Sequence, residues 1–137
     1  MSILSENPFM IAKEIVNKIK NDVDIIIIDF HAEATAEKIA LARYLDGDIT
    51  ILFGTHTHVQ TADEDILPKG TAYITDIGMT GPKNSVIGMD IEASIKRFET
   101  SLPEKYKLAE GTGKLNSVIF EIDDDTNKVK EIKRVNY

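Results

Sequence analysis

The chain has 137 residues, with 16 Lys+Arg against 23 Asp+Glu for a net charge of −7, and 42% hydrophobic against 28% charged residues. This is ordinary composition for one globular domain, so residues 1–137 read as a single domain, and the acidic balance excludes a broad phosphate-tracking surface for bulk nucleic acid. With no cysteine there is no disulfide framework, thiolate metal site or cysteine nucleophile, and any metal must be held by nitrogen and oxygen ligands.

The first twenty residues hold no basic region followed by an apolar run, and Ile25 to Ile28 is far shorter than the ~20 residues that span a bilayer. A cytoplasmic protein with no membrane partner is expected. Asn7 and Pro8 form an N-cap and first helical residue. Ile11, Ile15, Val16 and Ile19 follow at helical spacing and predict a helix over about Pro8 to Lys20. The β-branched run Val23 to Asp29 predicts a strand buried on both faces, as in α/β sheets. A second helix is expected from about Thr35 to Leu45, stopping at Asp46-Gly47 before a strand over Ile49 to Phe53. Crossovers of this length imply parallel neighbours with functional loops at their carboxyl ends.

Gly54 to Pro68 is polar and loop-like, Thr71 to Thr75 predicts a strand, and Asp76 to Gly88 is a glycine-containing loop. Ile91, Ile95, Phe98 and Leu102 mark a third amphipathic helix that Pro103 ends. Strands are then expected at Tyr106 to Ala109, Leu115 to Ile122 and Val129 to Val135, the last two joined by a turn at Asp123 to Asn127. The fold class is therefore α/β, with parallel strands first and antiparallel strands at the C-terminus.

All three histidines lie in two loops that follow predicted strands: His31 after the first, His56 and His58 after the second. In an extended segment residues i and i+2 point the same way, so His56 and His58 either face one site or straddle two adjacent ions. Neutral imidazole ligates zinc, iron, manganese or nickel, whereas surface or hydrogen-bonded histidines are the bland alternative. Gly54 permits a tight exit from its strand. In the Asp76 to Gly88 loop, Gly81 lets backbone N–H groups approach a ligand, while Thr80, Asn84 and Ser85 offer the hydrogen bonds that hold a phosphate or ribose. A surface loop of ordinary turns is the other reading, with Lys83 a solvated lysine by default.

GTHTHVQT (Gly54 to Thr61), DFHAEATAEK (Asp29 to Lys38) and DIGMTGPKNSVIGMD (Asp76 to Asp90) resemble the carboxyl-terminal half of the bacterial 2′,3′-cyclic-nucleotide 2′-phosphodiesterases, a branch of the calcineurin-like metallophosphoesterase superfamily. The motifs occur in the family's order and with its interval from first histidine to pair (56 − 31 = 25). The resemblance implies half of a four-layer α/β/β/α sandwich and metal-dependent hydrolysis of cyclic nucleotides. It also implies two metal ions, iron or manganese favoured and zinc possible, with His31 and His56 on one ion and His58 on the other. Such a pair of ions stabilises both the attacking and the leaving oxygen. Glu33 reads as a partner supporting His31, or as a solvated acid at a helix start.

The family's amino-terminal motifs, among them the acid that bridges the metals and the Asn-His whose histidine is the proton donor, have no counterpart here. No catalytic residue is therefore assigned within this chain, which alone is expected to bind metal weakly, with little or no activity. The expected partners are a nucleotide phosphodiester substrate and a complementary amino-terminal half or a second copy of the chain. A non-catalytic half-domain that folds and oligomerises, and a phosphomonoesterase of the same superfamily, are the competing functions.

Overall fold

The computed structural model describes residues 7–137. The reading of the first residues as free of a leader falls partly on residues 1–6, outside the described residues. Helix α1 (Pro8–Ile19) starts as expected: the Asn7 side chain accepts from the Phe9 N–H at 2.9 Å, and Pro8 fills the first turn, where its missing N–H costs nothing. Then come β1 (Ile27–His31), α2 (Thr35–Tyr44), β2 (Ile51–Thr55), β3 (Asp65–Ile66), β4 (Ala72–Ile74), β5 (Gly81–Pro82), α3 (Ile91–Thr100), β6 (Gly113–Lys114), β7 (Asn116–Ile122) and β8 (Val129–Asn136).

The central sheet has the order β1-β2-β4-β3, with β1, β2 and β4 parallel and β3 antiparallel to β4. Strand β2 is its buried spine, and its alternation sends neighbouring residues to two different cores. Leu52 joins Val16, Leu41, Leu45 and Tyr73 beneath α1 and α2. Ile51 packs with Ala72, Val129 and Phe53 beneath the antiparallel β7–β8 hairpin. Two helices thus cover one face of the sheet and the hairpin covers the other, so the expected succession of parallel then antiparallel strands is present.

Three expectations need correction. The first strand begins at Ile27 rather than Val23 and is not buried on both faces: Ile27 is 55% exposed, because β1 is an edge strand whose outer side is unpaired among the described residues. The segment Tyr106 to Ala109 is not a strand; only Leu108 forms an isolated bridge, with Met89. In α3 the apolar stripe lies uncovered, with Phe98 78% exposed, and Leu102 falls beyond a left-handed Ser101 cap. None of the described helices is long and apolar enough to cross a membrane.

Candidate functional site

The carboxyl ends of β1 and β2 meet here because their parallel register sets His31 beside Thr55. His31 is the last residue of β1 rather than a loop residue, and His56 follows β2 directly. The two imidazoles stand edge to face, ring centroids 5.0 Å apart, with His31 Nε2 at 3.1 Å from His56 Nδ1. Both side chains are exposed.

A chain of hydrogen bonds fixes His31. The Thr55 hydroxyl donates to Asp29 Oδ1 at 3.0 Å, and the same oxygen lies 3.0 Å from His31 Nδ1. With its proton committed to Asp29, Thr55 Oγ1 accepts from His31 Nδ1–H, which leaves the lone pair of Nε2 directed at His56. Sequence spacing suggests Glu33 for this support, but Glu33 is exposed, and the group at Nδ1 is a hydroxyl from the neighbouring strand, backed by a carboxylate. His58 departs from its neighbour: the backbone is left-handed at both His56 (φ 114°) and His58 (φ 65°), so the i, i+2 alternation of an extended segment does not apply. His58 Nδ1 donates to the Ile87 carbonyl at 3.0 Å, leaving its Nε2 as a free lone pair. No three His, Asp or Glu side chains among the described residues converge closely enough to enclose a metal ion.

The unusual backbone of this loop is held from beneath. Lys38, on α2, and Asp76, just after β4, form a fully buried ion pair at 3.0 Å. Lys38 also donates to the Thr55 carbonyl at 2.7 Å, while Asp76 accepts from the N–H groups of Thr57 and Gly78, each at 2.9 Å. The pair therefore grips the chain on both sides of His56. Burial pushes the Asp76 carboxyl up, but the Thr57 and Gly78 amides, the Thr57 hydroxyl and the Lys38 ammonium outweigh it and hold the group below the ordinary carboxylate range. Gly54 completes the support, since a Cβ there would lie 1.8 Å from the Thr75 carbonyl oxygen. Sequence reasoning assigns neither Lys38 nor Asp76 a role; a lysine in an otherwise Ala-rich helix reads as solvated.

The glycine loop is brought only partly to the histidines. Ser85 and Lys83 line a cleft with His58. Ser85 Oγ donates to the Pro82 carbonyl at 2.7 Å and accepts from Gly88 N–H at 3.0 Å, so it shapes the turn. Gly81 pairs with Lys114, and the exposed Thr80 points its hydroxyl at the Asn116 carbonyl, 3.5 Å away. Asn84 lies apart, in a hollow with Asp90 and Lys107.

Residues 1–135 match the family model described as YmdB-like protein. The chain is 53% identical over 130 residues to the 2′,3′-cyclic-nucleotide 2′-phosphodiesterase of Bacillus subtilis, covering 95% of this chain and 49% of that protein. Among solved structures, a phosphatase from Mycoplasma pneumoniae superposes with a TM-score of 0.90 at 44% identity, covering 100% of this chain and 49% of the other. A hypothetical protein from Thermus thermophilus does so with a TM-score of 0.89 at 36% identity, covering 96% and 51%. The chain spans about half the length of these relatives. With a family match that runs nearly end to end, this chain belongs to the YmdB-like protein family.

Proposed function

We propose that the chain supplies the carboxyl-terminal half of a metal-dependent phosphodiesterase acting on cyclic nucleotides, contributing His31 and His56 to one metal ion and His58 to a second. The observation that carries this is the His31–His56 pair. His31 Nε2 and His56 Nδ1 lie 3.1 Å apart on exposed side chains, so the two imidazoles would hold one ion between them. The Asp29–Thr55–His31 chain supports it further by presenting Nε2 as a lone pair, the form that binds metal. When bound, iron or manganese, or zinc, would polarise the phosphodiester and activate the attacking water. The chain's own residues orient the imidazoles: Thr55 at His31 Nδ1 and the Ile87 carbonyl at His58 Nδ1 leave the other ring nitrogen of each facing outward.

Because two converging histidines do not enclose an ion, the remaining ligands and the proton donor belong to a complementary amino-terminal half, or to a second copy of this chain. The edge of β1, unpaired among the described residues, supports such a partner. Beside it lies an apolar groove of ≈ 280 Å³ between α1 and β1, lined by Ile11, Ile15, Ile27 and Phe30 among others. A partner seated there extends the sheet and completes the four-layer sandwich. The same shortage of ligands favours a second reading, a half-domain that folds and associates without turnover; a phosphomonoesterase would use the same ligands on a different substrate.

The deciding experiment measures hydrolysis of bis(p-nitrophenyl) phosphate and 2′,3′-cyclic AMP with Mn²⁺, for the chain alone and mixed with the remaining half of the Bacillus subtilis relative. Activity only in the mixture is expected. Full activity of the chain alone would overturn the shared site, and inactivity of both would leave the non-catalytic half-domain standing.

A further inference from the structure

We propose that a basic cavity at the amino-terminal ends of the parallel strands binds a small phosphate-bearing molecule, with Lys20, Lys69 and Lys128 around its phosphoryl group. The cavity, ≈ 390 Å³, lies just ahead of β1, β2 and β4, its wall running through Ile26, Thr50 and Gly70. The five residues of β2, roughly 17 Å of strand, separate it from the histidines at the carboxyl ends. A ligand held here therefore does not meet the site described above.

The three lysines share the wall with two acids, Asp24 and Asp48. None of the three is in an ion pair among the described residues, whereas Asp48 is already paired with Lys13. Three unpaired ammonium groups thus stand against one unpaired carboxylate, a local reversal of sign in a chain of charge −7. The cations converge on one place. The hydrogen bond from Lys13 holds the Asp48 carboxyl below its ordinary range, and the charges of Lys13, Lys20 and Lys69 reinforce it against the burial that raises it. One carboxylate shared in this way leaves the cluster short of negative charge, which a phosphate supplies through charge-assisted hydrogen bonds.

The backbone fixes the wall. Asp46 accepts from the N–H groups of Lys69 at 3.1 Å and Thr71 at 3.3 Å, and the Gly47 N–H donates to the Thr71 hydroxyl at 2.9 Å. Gly47, at φ 85°, lies so close to Lys69 that a Cβ there would come within 2.9 Å of the lysine Cβ, so the stem of Lys69 rests on bare backbone. On the far side stands the β7–β8 turn. There Asp123 accepts from the amides of Asp125 and Thr126, and Asn127, at φ 56°, turns the chain so that Lys128 reaches the cavity. The volume is at the small end of ligand sites and leaves room for a small organic body beside the phosphoryl group.

The test is a titration of the ¹⁵N-labelled full chain in EDTA with inorganic phosphate and with glycerol 3-phosphate, the ionic strength held constant with sodium chloride. Saturable shifts of the Lys69, Gly70 and Lys128 backbone amides are expected with both, and a melting temperature that rises along the same saturation curve. Lys69→Gln with Lys128→Gln, both exposed, should keep the fold and weaken both ligands about tenfold or more. Lys105→Gln with Lys133→Gln, which removes the same charge from exposed positions outside the cavity, should leave their affinity unchanged. Equal affinities in the two variants, a response that does not saturate, or shifts centred on His31 and His56 would overturn the site. Metal is absent throughout, so a failure of the metal centre leaves this result intact.

Discussion

At the level of single residues, the state of His31 is set by two groups on two strands. Thr55 Oγ1 stands between His31 Nδ1 and Asp29 Oδ1, so one hydroxyl decides which imidazole nitrogen keeps its proton. Replacing it with valine, of similar shape but without the oxygen, frees the imidazole to change tautomer and to rotate. Thr55→Val should lower affinity for Mn²⁺ or Zn²⁺ by about 10–100-fold with little loss of stability, read by calorimetric titration. The histidines themselves are legible in the sequence as three imidazoles at strand ends. Their support is not, because the His31–Thr55 contact depends on a strand register that joins residues 24 positions apart, and Glu33 lies nearer in sequence.

Two carboxylates also set an acid limit at this scale. Lys130 and Thr126 hold Asp123 at about 2, and the amides around Asp76 keep it below the ordinary range despite burial. In the unfolded chain both titrate near ~3.9, so the unfolded state takes up protons first as pH falls. Their contribution is therefore fully present above about pH 4–5 and is lost as the pH drops toward 2. Urea midpoints should be flat with pH on the neutral side and fall through this window. Asp123→Asn should remove part of the slope, and an unchanged slope would count against the assignment.

Between elements, the Lys38–Asp76 pair joins α2 to the end of β4 and to both sides of the histidine loop. Removing one partner strands the other charge in the interior. Lys38→Met should cost about 3–5 kcal/mol in urea unfolding, whereas Lys38→Met with Asp76→Leu should cost less than the sum of the two single changes. Helix α1 and the β7–β8 hairpin are readable from capping and alternation, since both signals are local. Strand β1 reads as doubly buried because a β-branched run looks the same whether its neighbours are present or supplied from elsewhere. The stripe of α3 misleads for a related reason: Ile95 and Phe98 have helical periodicity, but no described element covers them. The two-residue strands β3, β5 and β6 carry too few residues for any periodicity.

For the molecule as a whole, the association proposed above would run through the apolar groove at the β1 edge. Ile27 sits on that edge at 55% exposure, so a charge there meets water in the isolated chain and would meet the partner in the proposed assembly. Ile27→Lys should leave the circular dichroism spectrum unchanged while abolishing self-association, or complementation by the other half, in sedimentation velocity. Equal association of variant and parent would place the interface elsewhere.

The contact at Gly54 has a consequence for motion. Loops that bind ligands are commonly drawn from the least stable part of a protein and open without disturbing the rest. Here the backbone of β2 lies directly on that of β4, with Ile77 N–H bonded to the Gly54 carbonyl at 3.0 Å and no room for a side chain between them. The segment that carries His56 therefore opens only when the centre of the sheet opens, so its local unfolding free energy approaches that of the whole domain. The imidazole of His56 is held in place by the sheet itself, so in the proposed metal centre adaptation on binding would fall to the incoming groups.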